Sequence, residues 1–279
     1  LLCDTTASEI NRRDRISRMS NPKTRDDASV DPRLFLQTVA RTMRVLEGFG
    51  RKQGPQSLAE LAAAAEIDKS AAQRICYTLQ TLGYLERDAA TGGLRPGLKV
   101  LDRTFDFLRM HPLIERAVPV LAELRAMTGQ RVDLSLLDDL SIIYAQRLQN
   151  RRETFVASLV GRRLPTWCSS GGRAMLASLP DAEVDSILHR SDRRRFTPHT
   201  VTDLAAIWDK IRAARRDGFA FTEQEWIMGE MVVAAAVTDA AERPVAAIHI
   251  AGSLAEWDAR GFQLRMGPPV IEAARSISA

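Results

Sequence analysis

The chain of 279 residues has few of the residues that cross-link small proteins or bind metals. It contains three cysteines, Cys3, Cys76 and Cys168, and none of them stands in a CxxC or CxxxH spacing. Because disulfide frameworks and zinc sites need paired ligands, we expect neither, and a reducing cytoplasm fits this composition. A phosphate-binding loop and a dinucleotide-binding fingerprint are also absent, so no cofactor is expected.

Long apolar runs are lacking too. The longest wholly apolar stretch, Met231 to Val237, is far shorter than the roughly 18 residues that a membrane-spanning helix requires. Leu1 to Cys3 is too short for the core of a signal peptide. With 45% hydrophobic and 27% charged residues, the composition indicates a soluble globular protein of about two domains. The net charge of +4 permits nucleic-acid binding without requiring it.

The stretch from Ser57 to Leu85 has the pattern of two helices joined by a tight turn. Ser57 and Asp68 are predicted N-caps, because their side-chain oxygens can accept from the free amides of a first helical turn. The second helix has a predicted buried stripe of Ile67, Ala71, Ile75, Leu79 and Leu82. Its opposite face is polar and cationic, as in a recognition helix that contacts base edges and phosphates, and carries Lys69, Ser70, Ala72, Gln73, Arg74 and Tyr77. A helical hairpin with a solvated polar face is the alternative.

A β-hairpin is predicted directly after these helices. Residues 84–87 and 94–96 have strand character, with a turn at 90–93. A first helix over about 36–49, the two helices and the hairpin together indicate a winged helix. Arg87 and Arg95 of the wing would reach phosphates or a minor groove, while Gln73 and Arg74 suit paired hydrogen bonds to bases.

The remaining chain divides into segments of different character. Residues 1–33 are predicted to be a disordered tail, with a basic DNA-contacting arm as the alternative. The winged helix-turn-helix domain covers 34–97, a linker helix covers 98–111, and a second domain covers 112–279. Large apolar residues recur along the linker helix, so we expect it to pack on another helix of its own chain or of a partner.

The second domain alternates between strands and helices in blocks. This order predicts an α+β fold with an antiparallel sheet covered by helices. Strands are expected at 132–136, 142–145, 155–160, 219–221, 232–238 and 245–250, with a turn at Asp138-Asp139, and helices at about 171–179, 181–189, 202–217 and 269–277.

Several short motifs occur in a fixed order across both domains. They are Lys69-Ser70-Ala71 with Arg74, Leu82-Gly83-Tyr84, Gly161, Leu164-Pro165, the segment Ser170 to Ala177, then Gly218, Glu225, Gly229, the run Val232 to Val237, Asp239, and Ala246 to Gly252. In this order they resemble the IclR family of bacterial transcriptional regulators, from about Phe35 to the C-terminus. Thr222, Val232 and Thr238 depart from the family pattern, which leaves the identity of the effector open.

The resemblance implies a GAF-like effector-binding domain for a small organic or aromatic acid, and control of genes for its catabolism. It also implies a homodimer or tetramer on a pseudo-palindromic DNA operator. The pocket positions that carry over are Ser169, Ser170, Gly171, Glu230, Val232, His249 and Ala251. The segment starting at Cys168 enters a helix whose free amides would cradle an anion, although a simple capped helix start is the alternative. Glu230 would repel an anion unless Arg147, Arg163 or Arg173 balances it.

The sequence gives less support to an enzyme. Cys168 with His189 or His199 would be a catalytic nucleophile and its base, but no third residue to orient the base is evident. Asp133, Asp138 and Asp139 are candidates for paired carboxylates or a metal site, but Asp138 and Asp139 fit a hairpin turn better than an active site. The alternative function is a small-molecule-binding protein or enzyme whose winged helix serves only protein contact.

Overall fold

The computed structural model describes residues 31–52, 54–149 and 160–279. The predicted tail up to residue 30 and residues 155–159 of a predicted strand therefore lie outside the described residues. The chain forms two compact units, the first ending at Phe107 and the second beginning at Leu108. Within the described ranges, no helix is long and apolar enough to cross a membrane.

The first unit has the elements of a winged helix. They are α1 (Gln37–Glu47), a short 3-10 helix (Gly48–Arg51), α2 (Leu58–Ala64), α3 (Lys69–Thr81), β1 (Leu85–Arg87), β2 (Leu94–Pro96) and α4 (Lys99–Met110), which crosses into the second unit. Both predicted N-caps are present: the side chain of Ser57 accepts from the amide of Glu60, and that of Asp68 from the amide of Ala71. β1 and β2 pair antiparallel.

The core of the first unit shows two errors in the predicted stripe of α3. Ala72 was expected on the exposed polar face, but it is fully buried. The buried surface of α3 is two residues wide, with Ala71 beside Ala72 and Ile75 beside Cys76, because α3 packs against both α1 and α2. Leu82 was expected to be buried, yet it is 49% exposed. It is the C-cap of α3, where the chain leaves the helix.

The second unit is the expected α+β fold. Six described strands form one antiparallel sheet in the order β5-β4-β3-β8-β7-β6. Asp139 turns the chain between β3 and β4 with a φ of 50°, as the Asp-Asp pair predicts. The elements are α5 (Pro112–Thr128), β3 (Arg131–Asp138), β4 (Ser141–Leu148), β5 (Arg163–Pro165), α6 (Ser170–Ala177), α7 (Asp181–Arg190), α8 (Leu204–Asp217), β6 (Ala220–Glu223), β7 (Glu230–Thr238), β8 (Pro244–Ser253) and α9 (Ala259–Ile277).

The two faces of this sheet have different partners. One face packs its apolar residues against α5 and α9, and the other lies under α6. α9 begins at Ala259, ten residues before the predicted start at Pro269, and it contains both Pro268 and Pro269. Prolines normally end a helix. Here Phe262, Met266 and Val270 continue one buried stripe through them, so packing on the sheet outweighs the missing backbone hydrogen bonds.

Candidate functional site

The first candidate site is the exposed surface of α3. The polar residues predicted for recognition, apart from Ala72, are exposed there: Lys69, Ser70, Gln73, Arg74 and Tyr77. With the β1–β2 hairpin they line a groove of about 840 Å³. The spacing of these residues follows the helical period, so their side chains lie on neighbouring turns of one face.

The side chains of this surface are available for an external partner. Tyr77 is 72% exposed. The side chains of Gln73 and Arg74 form no hydrogen bond or ion pair with another described residue. By contrast, the hydroxyls of Thr78 and Thr81 donate to carbonyls one turn earlier in their own helix. The free donors are therefore grouped near the N-terminal half of α3, where the helix dipole also favours a phosphate.

The two wing arginines are exposed but already engaged. Nη1 of Arg87 donates to the carbonyl of Gly92 at 3.0 Å, which fastens the hairpin. Nε of Arg95 lies 2.8 Å from Oε1 of Glu86. Such surface pairs are weak and exchange readily. The wing is thus less cationic than its sequence indicates.

The second candidate site is the polar face of the sheet in the second unit. Strand register places Arg147 opposite Asp133, and Asp133 opposite His249. The next row on this face holds Tyr144 opposite Ser135. Side chains from β4, β3 and β8 therefore meet on one face although they are far apart in the sequence.

A network of ion pairs connects this face. Asp133 accepts hydrogen bonds from Arg147 at 3.0 and 3.2 Å and from Arg131 at 3.1 Å. Arg131 also donates to Oε1 of Glu230 at 2.6 Å. Burial lowers the pKa of Arg131, but the charges of Glu230 and Asp133 outweigh it, so the pKa is raised above its ordinary value. The raised pKa keeps Arg131 charged at neutral pH.

The arginine that balances Glu230 is therefore not one of the three predicted. Arg147 pairs with Asp133, as described above. Arg163 forms an ion pair of 2.6 Å with Asp138. Arg173 forms a buried pair of 2.5 Å with Glu225. Only the register between β3, β8 and β7 identifies Arg131 as the partner, since it lies 99 residues from Glu230.

His249 is a fully enclosed polar side chain of this face. It is fully buried, with Nε2 2.7 Å from Oγ of Ser135 and Nδ1 3.4 Å from Oγ of Ser170. Burial lowers its pKa to about 4, so the ring is neutral at pH 7. A Cβ at Gly171 would clash with the imidazole. Glycine is therefore needed where α6 approaches the sheet.

Two of the predicted effector-binding residues have contacts within the helical part of this unit. Cys168 lies in an apolar cluster with Leu188, Ile207 and Ile211, and burial raises the pKa of its thiol. The raised pKa keeps the thiol protonated at neutral pH, which does not favour a role as a nucleophile. The hydroxyl of Ser169 donates to the carbonyl of Pro165 and accepts from the amide of Gly172, so it caps α6.

The other predicted positions do come together. Val232 pairs with Ala251, and Ala251 pairs with Arg131, so these three share a row of the sheet. Ser170 and Gly171 contact His249 in the next row. Among the described residues, no cluster of three His, Cys, Asp or Glu side chains is arranged to hold a metal ion.

The sequence prediction named Arg147 only as a counter-charge to Glu230, and it missed Tyr144, Arg162 and Trp226. The guanidinium of Arg147 lies 3.9 Å from the centre of the Tyr144 ring, and that of Arg162 lies 5.6 Å from the centre of the Trp226 ring. Arg131 was missed as well. A usable signal was present, because Asp133 and Ser135 are polar at alternate positions of the predicted strand 132–136, and extending that strand by one residue places Arg131 on the same face.

Models of known protein families match residues in both units of the chain. Residues 38–89 match the model of the IclR helix-turn-helix domain, and residues 105–279 match that of the bacterial transcriptional regulator IclR C-terminal domain. The chain is 28% identical to the acetate operon repressor of Salmonella typhimurium, over 87% of this chain and 89% of the relative. It is 26% identical to the Pca regulon regulatory protein of Pseudomonas putida, over 93% and 89% of the two chains.

Solved structures give the same result. A Rhodococcus protein assigned as a transcriptional regulator is 31% identical, with a TM-score of 0.74 over 87% of this chain and 97% of that one. An IclR homologue from Microbacterium hydrocarbonoxydans, solved with 4-hydroxybenzoate, shares the fold at 23% identity and a TM-score of 0.70, over 86% and 97% of the chains. With a helix-turn-helix domain followed by an effector-binding domain, the chain belongs to the IclR family of bacterial transcriptional regulators.

Proposed function

We propose that this regulator reads a pseudo-palindromic operator through α3. Gln73 and Arg74 contact base edges, because both side chains can form paired hydrogen bonds to one base. Lys69, Ser70 and Tyr77 position the helix on the sugar-phosphate backbone. The single observation that carries this proposal is the exposed row of uncommitted donors on α3. Arg87 and Arg95 of the wing add phosphate contacts once their weak internal pairs open.

The proposed DNA-binding form is a homodimer, which is the minimum for an operator with two half-sites. Large apolar side chains on α1 and α4 are exposed in the single chain, and α4 has no buried residue. Burying such a surface against a second copy removes apolar area from water. The exposed residues are Leu36 at the N-cap of α1, Val39 and Met43 on α1, and Leu101, Phe105 and Met110 on α4. Two such dimers would give a tetramer.

The proposed effector is a small organic acid, most simply an aromatic one, whose catabolic genes the regulator controls in the cytoplasm. The relative solved with 4-hydroxybenzoate supports this class of ligand. The polar face of the sheet is the proposed binding site, and Ser170, Glu230, Val232, His249 and Ala251 border it. The protein has two conformational states that differ in operator affinity. Binding of the acid changes operator affinity by no more than the ratio of the acid's affinities for those two states.

The experiment that tests this function selects bound DNA from a random duplex pool with the purified full chain near physiological salt. It is run with and without a panel of organic acids. We expect a pseudo-palindrome whose half-sites lie about one helical turn apart. If no motif emerges under either condition, the proposal of an operator-binding regulator is wrong.

A second candidate is a winged helix that contacts another protein and not DNA. The engaged state of Arg87 and Arg95 favours it, because fewer free cations face the groove. The two candidates differ in salt dependence. A DNA-binding surface loses affinity linearly with the logarithm of salt, with a slope of about −0.9 per phosphate neutralised. A protein-binding surface shows no such slope with duplex DNA.

A further inference from the structure

Gly97 connects the end of α3 to the start of α4 within the first unit. Its amide donates to the carbonyl of Tyr84 at 2.8 Å, and its carbonyl accepts from the amide of Val100 at 3.1 Å. Val100 lies in the first turn of α4. The amide of Tyr84 in turn donates to the carbonyl of Leu79 in α3 at 2.8 Å. A continuous series of backbone hydrogen bonds therefore runs from α3 to α4.

The close approach of Gly97 to the end of α3 leaves no room for a side chain. A Cβ on Gly97 would overlap the carbonyl oxygen of Gly83 and lie 3.1 Å from its carbonyl carbon. The amide of Gly83 donates to the carbonyl of Gln80 at 3.0 Å, and its φ of 80° turns the chain out of α3. The obstacle is therefore a hydrogen-bonded backbone and not the end of a flexible side chain.

A side-chain contact adds to this backbone junction. Nζ of Lys99, the first residue of α4, lies 5.5 Å from the centre of the Tyr84 ring. The ring packs against the core cluster of the first unit that includes Leu79 and Leu85. The start of α4 is thus attached to the same core that holds α3.

The direction of α4 relative to α3 depends on this junction. Non-bonded heavy atoms normally lie about 3.5 Å apart, so a side chain at position 97 displaces the start of α4 by roughly 1 Å. Over one helical turn of about 5.4 Å, such a displacement is a tilt of about 10°. The part of α4 within the first unit, Lys99 to Phe107, is about 13 Å long, so its end moves by about 2 Å.

We propose that the contact between Gly83 and Gly97 sets the separation of the two α3 helices in the homodimer, and with it the spacing of the operator half-sites. The proposal rests on the proposed function, in which two chains pair through α1 and α4 and each reads one half-site through α3. A tilt of α4 acts in both protomers, so the separation changes by about 4 Å. One base pair rises by about 3.4 Å. A side chain at position 97 therefore changes the preferred spacing by about one base pair and leaves the base-reading residues in place.

The test measures operator affinity as a function of the spacer between the half-sites. Fluorescence anisotropy with the full chain uses duplexes whose spacers are up to about two base pairs shorter or longer than that of the selected operator. Gly97→Ala is compared with the wild type. Gly50→Ala is the matched control, because a Cβ at Gly50 meets no atom within 4 Å. We expect the optimum of Gly97→Ala to move by about one base pair and that of the control to stay. An unchanged optimum in Gly97→Ala, or a wild type without a preferred spacer, contradicts the proposal.

A second variant keeps the test valid if Gly97→Ala does not fold. Insertion of one glycine between Gly97 and Leu98 introduces no Cβ next to Gly83 and gives α4 a flexible attachment. We expect this variant to bind several spacers with similar affinity, because the direction of α4 is no longer fixed. A preference for one spacer as sharp as that of the wild type contradicts the proposal.

A distance measured without DNA separates this inference from the proposed function. Thr81→Cys carries one nitroxide label at the exposed end of α3 in a chain with Cys3→Ser, since Cys76 and Cys168 are buried. Pulsed electron spin resonance then gives the distance between the labels of the two protomers. We expect Gly97→Ala to change it by about 4 Å and the insertion to broaden its distribution.

The outcomes of the two experiments distinguish the two proposals. If the chain selects an operator but neither variant alters the spacer preference or the label distance, the inference fails and the operator-binding function stands. If no operator is selected but the label distance changes as expected, Gly97 sets the separation of the α3 helices and DNA recognition fails. A chain that gives no distance between protomers is not a dimer, and this result overturns the inference.

Discussion

The two polar surfaces of this protein are built in opposite ways. On α3, the donors belong to one helix, lie in water and are uncommitted, as for Gln73 and Arg74. On the sheet, the donors come from separate strands, are buried and are already paired, as for Arg131 with Asp133 and Glu230. Exposed charges cost little to keep unpaired, whereas buried charges require a partner. A surface that binds a large polyanion can keep its cations unpaired in water. A buried site for a small acid needs carboxylates that pair with its arginines before the acid binds.

The largest expected contrast concerns the loss of a single arginine. Arg173 is fully buried and donates two hydrogen bonds to Glu225 and one to the carbonyl of Trp167. Arg173→Met leaves the Glu225 carboxylate buried and unpaired, so we expect a loss of about 3–5 kcal/mol in the free energy of unfolding. Arg74→Met on α3 should change it by less than about 0.5 kcal/mol. Urea unfolding measures both.

A double variant controls for packing at the same site. Replacing Arg173 and Glu225 together by methionine removes both charges, and most of the stability should return. The contrast between exposed and buried arginines disappears if Arg173→Met costs no more than Arg74→Met.

The second prediction uses the buried His249. Its pKa is lowered to about 4 in the folded state, compared with about 6.5 in the unfolded chain. The unfolded state therefore binds more protons between these values, and the folded protein loses stability as the pH falls from about 6.5 to about 4. The expected loss is about 3 kcal/mol. His249→Gln should flatten this part of the stability–pH curve, as measured by urea unfolding at several pH values. A curve parallel to that of the wild type would exclude His249 as the cause.

The third prediction concerns base reading on α3. Arg74→Ala should weaken operator binding by about 1–3 kcal/mol and relax specificity at one position of each half-site. Lys69→Ala is the comparison, since loss of a phosphate contact weakens all sequences about equally. Fluorescence anisotropy with operator and with single-base variants measures both. If Arg74→Ala weakens every sequence equally, Arg74 contacts only phosphate.

The smallest expected effect lies in the wing. Arg95 pairs with Glu86 on the exposed hairpin, and surface pairs of this kind contribute about 0.2–1 kcal/mol. Arg95→Gln should therefore leave stability nearly unchanged and make the salt slope of operator binding shallower by about 0.9. An unchanged slope would show that Arg95 keeps its internal pair and contacts no phosphate.

The exposed surface of α3 could be predicted from sequence because all of its side chains lie on one helix. Capping by Ser57 and Asp68 set the starts of α2 and α3, and the helical period then placed Gln73, Arg74 and Tyr77 on one face. The error at Ala72 arose because burial depends on how many helices pack around α3. The number of helices around α3 is set by the tertiary fold, and the helical period of 3.6 residues gives no information about it.

The second surface was only partly predictable. Its positions at Ser170, Gly171 and His249 came from the family resemblance. The apolar packing of Cys168 was not foreseen, because a short segment does not reveal which side of α6 its neighbours occupy. The pair between Arg131 and Glu230, 99 residues apart, depends on strand register. A one-residue change of register would move either side chain to the other face of the sheet. The helix start at Pro269 was wrong because packing on the sheet outweighed a local helix breaker.

The most direct test of the account measures operator affinity of the full chain at fixed salt, with and without a bound organic acid. Typical coupling between two sites changes affinity by about 5-fold to 150-fold. The account predicts a change in this range. Equal operator affinity with and without saturating acid would contradict it.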